Sequence, residues 1–380
     1  MDPWNGSGIT TTAAGALGYS GIGYDLNPVM VVVARAGLVA SGAAEHTEQL
    51  TRVLRQGSLD LRQAPSGDPL LQWLSPKSVA AVRSLEQQLR AAGGDPSPLA
   101  LRKPNVESMD SLLAFFYVAL FRSLRSLLAP LYATNPTWLK KPKSDSERLN
   151  LSRKEIVTAF LRELAFMSST FDGFGGRPFD PTGSAPIAVG SSLSLPEASA
   201  SVDLILTSPP YCTRIDYAVA TSAELGVLGI GEESGFGSLR SALMGTSTVL
   251  DTPPQQTEAW GTTCNTFLDA MRRHPSKASE TYYYKNHLQY FHDLFESVRE
   301  LARVLRPAAR CIVVAQGSYY KALHNDLQNI LVEMSEYNGL VLEDRVDFHS
   351  RRTMAGRNRE ARKYRQHDGA TESVLCFREE

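Results

Sequence analysis

Three stretches in the first half of the chain carry apolar residues three and four positions apart, the spacing of helices that bury one face. Their apolar positions are Val79, Val82, Leu85 and Leu89, then Leu113, Phe116, Leu120, Leu124 and Leu127, then Ile156, Phe160, Leu164 and Met167. Loops rich in glycine and proline lie at residues 65–69 and 93–98. The pattern predicts a mainly helical region over residues 46–185.

Outside that region the apolar runs are short and rich in β-branched residues, which is typical of buried strands. These runs are residues 21–24, 187–190, 202–207, 311–315, 340–348 and 372–378. The spacing of apolar residues also predicts an amphipathic helix over residues 287–305 and a further helix over residues 320–334. Residues 231–262, rich in Gly, Ser and Thr, are expected to form a mobile loop. The alternation of strands and helices predicts an α/β fold.

The composition narrows the class of protein. The 380 residues carry a net charge of −1, so any surface for nucleic acid must be local. The four cysteines lie far apart and form no C-x-x-C pair, which disfavours a zinc site or a disulfide framework and fits a reducing cytoplasm. No apolar run is long enough to cross a bilayer, and the N-terminus has no signal-peptide pattern. We therefore expect a cytoplasmic protein without a membrane partner.

The strand predicted over residues 202–207 is followed by Ser208, Pro209, Pro210 and Tyr211. Because prolines cannot donate to a sheet ladder, the strand must stop there, which places this tetrapeptide at the carboxyl edge of the sheet. In open α/β sheets that edge is where ligands bind. The tetrapeptide resembles the catalytic motif of the S-adenosylmethionine-dependent amino-methyltransferases, which methylate an exocyclic base nitrogen in DNA. The resemblance implies a Rossmann-like methyltransferase sheet that is closed by an antiparallel hairpin of the last two strands.

The start of the chain resembles the cofactor loop of the same family. Residues 2–10 read DPWNGSGIT, where the family has DPF-x-GSGTT. The resemblance implies that S-adenosylmethionine is bound by Asp2, Pro3, Trp4, Gly6, Ser7, Gly8 and Thr10. In the family a hydrophobic strand leads directly into the Asp-Pro pair. No such strand precedes Asp2, so we expect the first strand of the sheet to be missing, through truncation or because it is supplied from elsewhere.

A second set of cofactor contacts is predicted where the run 21–24 ends in Asp25. Asn27 can cap a helix that has Pro28 at its first position. A glycine loop, a helix, a strand and a terminal carboxylate form the arrangement in which the carboxylate accepts hydrogen bonds from ribose hydroxyls. The resemblance gives Asp25 that role and places Asn27 beside it. The alternative is that Asp25 only caps the start of the helix.

Asp216 and Tyr217 are candidate substrate contacts because they follow the motif closely. They belong to an IDY segment followed by EL-x-x-LG at residues 224–229, and a similar pair accompanies the motif in a subset of these methyltransferases. Asp216 would line the pocket of the base, and its alternative role is to cap a helix.

The strongest local charge bias lies between the last two predicted strands, where residues 351–365 hold seven basic residues and one acid. Its candidate substrate contacts are Arg351, Arg352, Arg357 and Arg359. A basic loop near a substrate edge is typical of phosphate contact. The alternative is a solvated charged surface.

The predicted chemistry needs neither a metal nor a covalent intermediate. The amine of cytosine or adenine is a poor nucleophile, so catalysis needs in-line placement and acceptors that draw the amine toward tetrahedral geometry. The Ser208 hydroxyl and the Pro209 carbonyl would accept the amine protons. Pro210 would stiffen the turn, and Tyr211 would stack on a base flipped out of the duplex.

We therefore predict three segments: residues 1–45 bind the cofactor, residues 46–185 form a helical insertion for target recognition or docking, and residues 186–380 hold the catalytic part. The predicted activity is site-specific DNA methylation at N4 of cytosine or N6 of adenine, in a restriction-modification or defence system. Two alternatives stay open: an RNA or tRNA base methyltransferase, and a truncated, non-catalytic subunit of a DNA modification system. A protein-glutamine methyltransferase fits less well, because it prefers Asn at the position of Ser208.

Overall fold

The structure is a computed structural model of the chain. It describes residues 1–39, 43–56, 64–93, 105–133, 137–170, 186–212, 215–350 and 370–379. Two compact units are present: unit 1 comprises Met1–Trp4, Gly190–Asp216 and Arg240–Glu380, and unit 2 comprises Asn5–Val189 and Tyr217–Leu239. The functional division into three segments stays a prediction.

The described residues combine helices and strands, which confirms a mixed α/β fold. The helices are α1 (Ile9–Ala16), α2 (Pro28–Ala36), α3 (Ala43–Gln56), α4 (Pro76–Ala92), α5 (Ser111–Leu127), α6 (Arg153–Thr170), α7 (Tyr217–Ala220), α8 (Ser222–Val227), α9 (Phe236–Ala242), α10 (Gly261–Arg273), α11 (Tyr284–Val304) and α12 (Leu327–Tyr337). The strands are β1 (Gly23–Asp25), β2 (Ile187–Val189), β3 (Val202–Thr207), β4 (Leu305–Gln316), β5 (Ser318–Tyr320), β6 (Leu323–Asn325), β7 (Leu340–Ser350) and β8 (Ala370–Glu379). Within these ranges no helix has the length and apolar character needed to cross a membrane.

Unit 1 contains a four-stranded sheet of order β3-β4-β8-β7. β3 and β4 are parallel, whereas β8 runs antiparallel to both of its neighbours, so the predicted antiparallel hairpin of the last two strands is present. One face of the sheet is buried, and its side chains include Ile205, Cys311, Val313, Leu375 and Phe377. α11 and α12 contact the strands, and α10 packs on both of these helices. The apolar positions of β3 and β4 therefore build the core that holds the end of β3 in place.

Two secondary-structure expectations differ from the structure. The helix expected over residues 320–334 begins only at Leu327, where the Asp326 side chain accepts from the amide of Asn329. The preceding residues form the β5–β6 hairpin, because Lys321 at its turn takes a left-handed φ of 54°. The stretch 231–262, expected to be a loop, contains α9 and short helical turns at Glu232–Ser234 and Glu258–Trp260, and its mobility stays a prediction.

Unit 2 is built on the parallel pair β1 and β2 and on the helices of the first half of the chain. α2 packs on both strands, α5 packs on α2, and α6 packs on α5. The Asn27 side chain caps α2 by accepting from the amide of Val29 at 3.1 Å, as predicted. Most of the apolar stripe positions predicted in the helical region are buried, and those below 2% exposure include Val79, Leu85, Phe116, Phe160 and Leu164. The helical periodicity therefore marks core-forming faces.

The first residue of the chain lies beside the free edge of β3. The Met1 ammonium group donates to the Leu204 carbonyl at 2.7 Å, and the amide of Leu206 donates to the Met1 carbonyl at 3.1 Å. This is the hydrogen-bond pattern of a parallel ladder. The loop that holds Asp2 and Pro3 therefore begins at a residue whose main chain is paired with β3.

Candidate active site

The predicted catalytic motif begins where β3 ends. Thr207 is the last residue of the strand and is buried, whereas the side chain of Ser208 is exposed and Pro209 is buried again. The two prolines end the strand, as expected from their missing amide hydrogens. Among the described residues, no hydrogen bond engages the Ser208 hydroxyl or the Pro209 carbonyl. The Ser208 hydroxyl, which belongs to an exposed side chain, is therefore accessible to a ligand.

Two side chains hold the main chain that follows these acceptors. The hydroxyl of Tyr290 on α11 donates to the Pro210 carbonyl at 2.7 Å. The hydroxyl of Ser318 on β5 donates to the Cys212 carbonyl at 2.9 Å. Both donors come from the core of unit 1, so the motif is held against a rigid support. Pre-organisation of this kind avoids a reorganisation cost when a ligand binds.

The side chains of the motif itself are also constrained. The Tyr211 hydroxyl donates to the carboxylate of Glu372 on β8 at 2.5 Å. Burial raises the pKa of the neighbouring Cys212 thiol to about 12, so this thiol stays protonated near neutral pH. Because the thiolate is the nucleophilic form of cysteine, burial disfavours a nucleophilic role for Cys212.

Asp2 and Asp216 each accept hydrogen bonds that connect separate segments of unit 1. Asp2 is 5% exposed and accepts from the Thr207 hydroxyl at 2.6 Å and from the amide of Trp4 at 3.1 Å. Asp216 is 1% exposed, and its Oδ2 accepts from Arg240 Nε and from the Ser247 hydroxyl, both at 2.7 Å. Buried carboxylates need such partners. Both side chains therefore anchor loops on either side of the motif, and Pro3 is buried beside Asp2.

Unit 2 assembles the remaining predicted cofactor residues around Asp25. Oδ2 of Asp25 accepts from the amide of Gly6 at 3.0 Å, and Oδ1 accepts from the amide of Asn27 at 2.8 Å. The Asn27 side-chain amide in turn donates to the Thr221 hydroxyl at 2.9 Å. Both oxygens of the Asp25 carboxylate are therefore held by main-chain amides.

The glycine loop that contacts Asp25 needs its glycines. Gly6 and Gly8 have left-handed φ angles of 49° and 82°. A Cβ added to Gly8 would lie 2.7 Å from the Cβ of Ala34 on α2, so no other residue fits there. Gly8 also caps α1 without a side-chain hydrogen bond. Ser7 is exposed and Thr10 is half-buried, so both remain candidates for ligand contact.

Tyr217, expected at the substrate, lies near the carboxylate of Asp25. Burial and then the charge of Asp25 raise the pKa of the Tyr217 hydroxyl. Tyr217 is therefore grouped with the cofactor residues of unit 2 rather than with Asp216. The predicted phosphate contacts Arg351, Arg352, Arg357 and Arg359 lie outside the described residues.

These residues fit the nucleoside part of S-adenosylmethionine. Asp25 is half-buried at the end of a strand, which is the position of a carboxylate that accepts from ribose hydroxyls. The side-chain amide nitrogen of Asn5, which is 4% exposed, has no partner among the described residues and leaves one buried donor at this loop. In the described ranges, no group of three or more His, Cys, Asp or Glu side chains is arranged to hold a metal ion.

The sequence analysis missed Tyr290, Ser318 and Glu372, which hold the motif. One indication of such contacts was present in α11, where Asn286, Gln289 and Tyr290 are polar but occupy a buried face. Polar side chains on the buried face of an amphipathic helix indicate partners elsewhere in the chain.

No protein-family model and no curated protein matches the sequence. Among solved structures, the chain is similar to a protein assigned as a sarcosine dimethylglycine methyltransferase from Galdieria sulphuraria, with 11% identity and a TM-score of 0.23 over 57% of this chain and 64% of that one. It is also similar to the [4+2]-cyclase SpnF, with 10% identity and a TM-score of 0.24 over 95% of this chain and 98% of that one. The first match therefore spans less than two thirds of the solved chain. Similarity at this level identifies neither the fold nor the function of the present chain.

Proposed function

We propose that this chain is an S-adenosylmethionine-dependent DNA methyltransferase that acts on N4 of cytosine or N6 of adenine, in the cytoplasm and as part of a DNA modification system. One observation carries the proposal. At the end of a parallel strand, the Ser208 side chain is exposed, and no other described residue bonds to its hydroxyl or to the Pro209 carbonyl, while Tyr290 and Ser318 hold the main chain that follows them.

Two acceptors side by side suit an exocyclic amine, which has two protons to donate. The neutral Ser208 hydroxyl accepts one proton and the Pro209 carbonyl accepts the other, which draws the amine away from the plane of the base. Ser208 orients the amine and does not deprotonate it. The amine nitrogen would form its bond to the methyl carbon as the bond from that carbon to the sulfonium breaks, and its surplus proton would leave to water. The effect is electrostatic and positional, and both contributions are large when the groups are pre-organised.

The base would stack on the ring of Tyr211. Because the Tyr211 hydroxyl is bonded to Glu372, the ring is held in one orientation and its role needs no proton transfer. Flipping a base out of a duplex costs a few kcal/mol, and stacking on an aromatic ring recovers part of that cost.

The cofactor residues are Asp25, which accepts from the ribose hydroxyls, and the loop of Gly6 and Gly8, whose Gly6 amide holds the Asp25 carboxylate. When bound, S-adenosylmethionine supplies an electrophilic methyl group on a sulfonium.

The deciding experiment offers the purified chain and methyl-labelled S-adenosylmethionine to double-stranded DNA, single-stranded DNA and RNA. Mass spectrometry of the digested nucleosides then identifies the product. We expect N4-methylcytosine or N6-methyladenine in DNA. Methylation of RNA alone would support the RNA methyltransferase alternative. Failure to bind S-adenosylmethionine in calorimetry would support the non-catalytic subunit.

A further inference from the structure

One face of α11 binds the main chain of two separate segments of unit 1. Tyr290 donates to the Pro210 carbonyl in the motif at 2.7 Å. Asn286, one turn earlier, donates to the Thr246 carbonyl at 2.7 Å. Residues four positions apart share a helix face, so one surface of α11 holds both segments.

The second segment, residues 244–250, lies against the motif. A Cβ added to Gly245 would lie 3.9 Å from the Tyr211 carbonyl oxygen. Gln289 on α11 binds this segment twice, by donating to the Thr248 carbonyl at 3.3 Å and by accepting from the amide of Leu250 at 2.8 Å. α11 therefore supports the motif directly, through Tyr290, and indirectly, through the segment 244–250 that lies beside the motif.

The bond to Pro210 also controls the orientation of the Pro209 carbonyl. The Pro209 and Pro210 peptide planes are joined at the Cα of Pro210, and their relative orientation depends on two dihedral angles. The pyrrolidine ring fixes φ of Pro210 at about −65°. The hydrogen bond from Tyr290 restrains the plane of the Pro210 carbonyl. The one soft dihedral angle between the two planes is therefore ψ of Pro210, and the plane on one side of it is held by the helix.

The donor itself is held firmly. Tyr290 is 2% exposed, so water does not compete for its hydroxyl, and a hydrogen bond in such a medium is stronger than at the surface. Its ring lies edge-on to that of Phe291, with the ring centroids 5.4 Å apart. The position of the hydroxyl is thus set by the helix core.

We infer that Tyr290 is a positioning residue: through its bond to the Pro210 carbonyl, it fixes the Pro209 carbonyl in the orientation that accepts an amine proton. The inference rests on the proposed function for its catalytic consequence. The anchoring of the motif is measurable without activity.

The test is Tyr290→Phe, which removes the hydroxyl and keeps the ring. The matched control is Tyr132→Phe in unit 2, because the Tyr132 hydroxyl also donates to a main-chain carbonyl, that of Arg125, at 2.9 Å. We expect Tyr290→Phe to lower kcat by about 10-fold to 100-fold, since a displacement near 1 Å costs up to about 100-fold. The KM for S-adenosylmethionine should stay unchanged. Tyr132→Phe should leave both constants unchanged.

Hydrogen exchange measured by mass spectrometry supplies the second readout. We expect the peptide over residues 203–212 to exchange faster in Tyr290→Phe than in the wild type, and at the wild-type rate in Tyr132→Phe. An unchanged kcat in Tyr290→Phe, or an equal loss of kcat in both variants, would overturn the inference. If the wild type methylates nothing, the proposed function fails, and the exchange rates alone decide whether Tyr290 anchors the motif.

Discussion

Among single residues of the motif, Ser208 differs from its neighbours because its side chain is exposed and, within the described part of the chain, bonded to no other residue. The neighbouring groups are fixed by the core: Tyr290 holds Pro210, and Glu372 holds Tyr211. An exposed polar group on a fixed support is suited to bind a ligand, because the ligand does not compete with an existing bond. The functional role of the motif therefore depends most directly on this one hydroxyl.

We expect Ser208→Ala to bind S-adenosylmethionine with wild-type affinity and to lose about 100-fold in kcat, because one of two pre-organised acceptors is removed. Calorimetry measures the first quantity, and incorporation of labelled methyl groups into DNA measures the second. Ser201→Ala is the control, because the Ser201 hydroxyl only bonds to the Ala198 carbonyl, at 2.7 Å. Full activity of Ser208→Ala would exclude the assigned role.

Asp293 on α11 is a second residue with a distinct prediction. Burial, and then the charge of Glu296, raise the pKa of the Asp293 carboxyl from 3.8 to about 7. Between these two values the folded protein keeps a proton that the unfolded chain has lost. The free energy of unfolding therefore falls as the pH rises from about 4 to about 7.

Asp293→Asn should remove this pH-dependent fall in the free energy of unfolding, because the asparagine side chain does not ionise. At about 1.4 kcal/mol per pKa unit, the variant should gain up to about 4 kcal/mol over the wild type by pH 8, and the gain should vanish near pH 4. Urea unfolding of both proteins across this range measures the difference. A difference that does not change with pH would contradict the assignment.

At the scale of elements, charged residues of the helical region bind the EL-x-x-LG segment within unit 2. Arg83 on α4 donates to the carbonyls of Gly226 and Val227 at 2.8 and 2.6 Å, and it pairs with Asp68 and Glu86. Asp68 and Glu86 are 3% and 0% exposed, so these ion pairs are removed from water. The position of α8 therefore depends on α4.

Arg83→Met should lower the free energy of unfolding by about 3–5 kcal/mol, because it leaves two buried carboxylates without the cation that balances their charge. Arg52→Met is the matched control, since Arg52 and Glu48 pair on the surface at 69% and 68% exposure, and such pairs contribute less than about 1 kcal/mol. Denaturant unfolding of the two variants gives the comparison. Equal losses would show that Arg83 contributes no more than a surface ion pair.

Periodicity predicted the elements better than it predicted the contacts between them. The stripes of Leu85 and Phe116 indicated core helices, because burial of one helix face is a local pattern. The bond between Tyr290 and Pro210 joins residues 80 positions apart, and no local pattern encodes it. The β5–β6 hairpin was missed because its residues also fit a helical spacing, and the left-handed turn at Lys321 decided the outcome.

Across the whole molecule, basic charge is concentrated in one segment, and the net charge of the chain does not reveal this concentration. Residues 351–365 sum to +6, so the rest of a chain of net charge −1 sums to −7. An acidic remainder repels a polyanion, and attraction to nucleic acid must then come from few sites. The predicted phosphate contacts at these residues therefore have a measurable consequence for binding.

Replacing Arg351, Arg352, Arg357 and Arg359 with Gln should weaken DNA binding and flatten its dependence on salt. Each phosphate contact to duplex DNA contributes about 0.9 to the slope of log K against log salt, so the loss of four contacts should reduce the slope by up to about 4. Fluorescence anisotropy with duplex DNA between about 50 and 200 mM salt measures this slope.

The matched control removes four surface arginines of the described residues, Arg52, Arg122, Arg272 and Arg299. An equal change of slope in both variants would mean that the basic segment contributes only net charge. A change confined to the first variant, with wild-type affinity for S-adenosylmethionine, would assign the phosphate contacts to that segment.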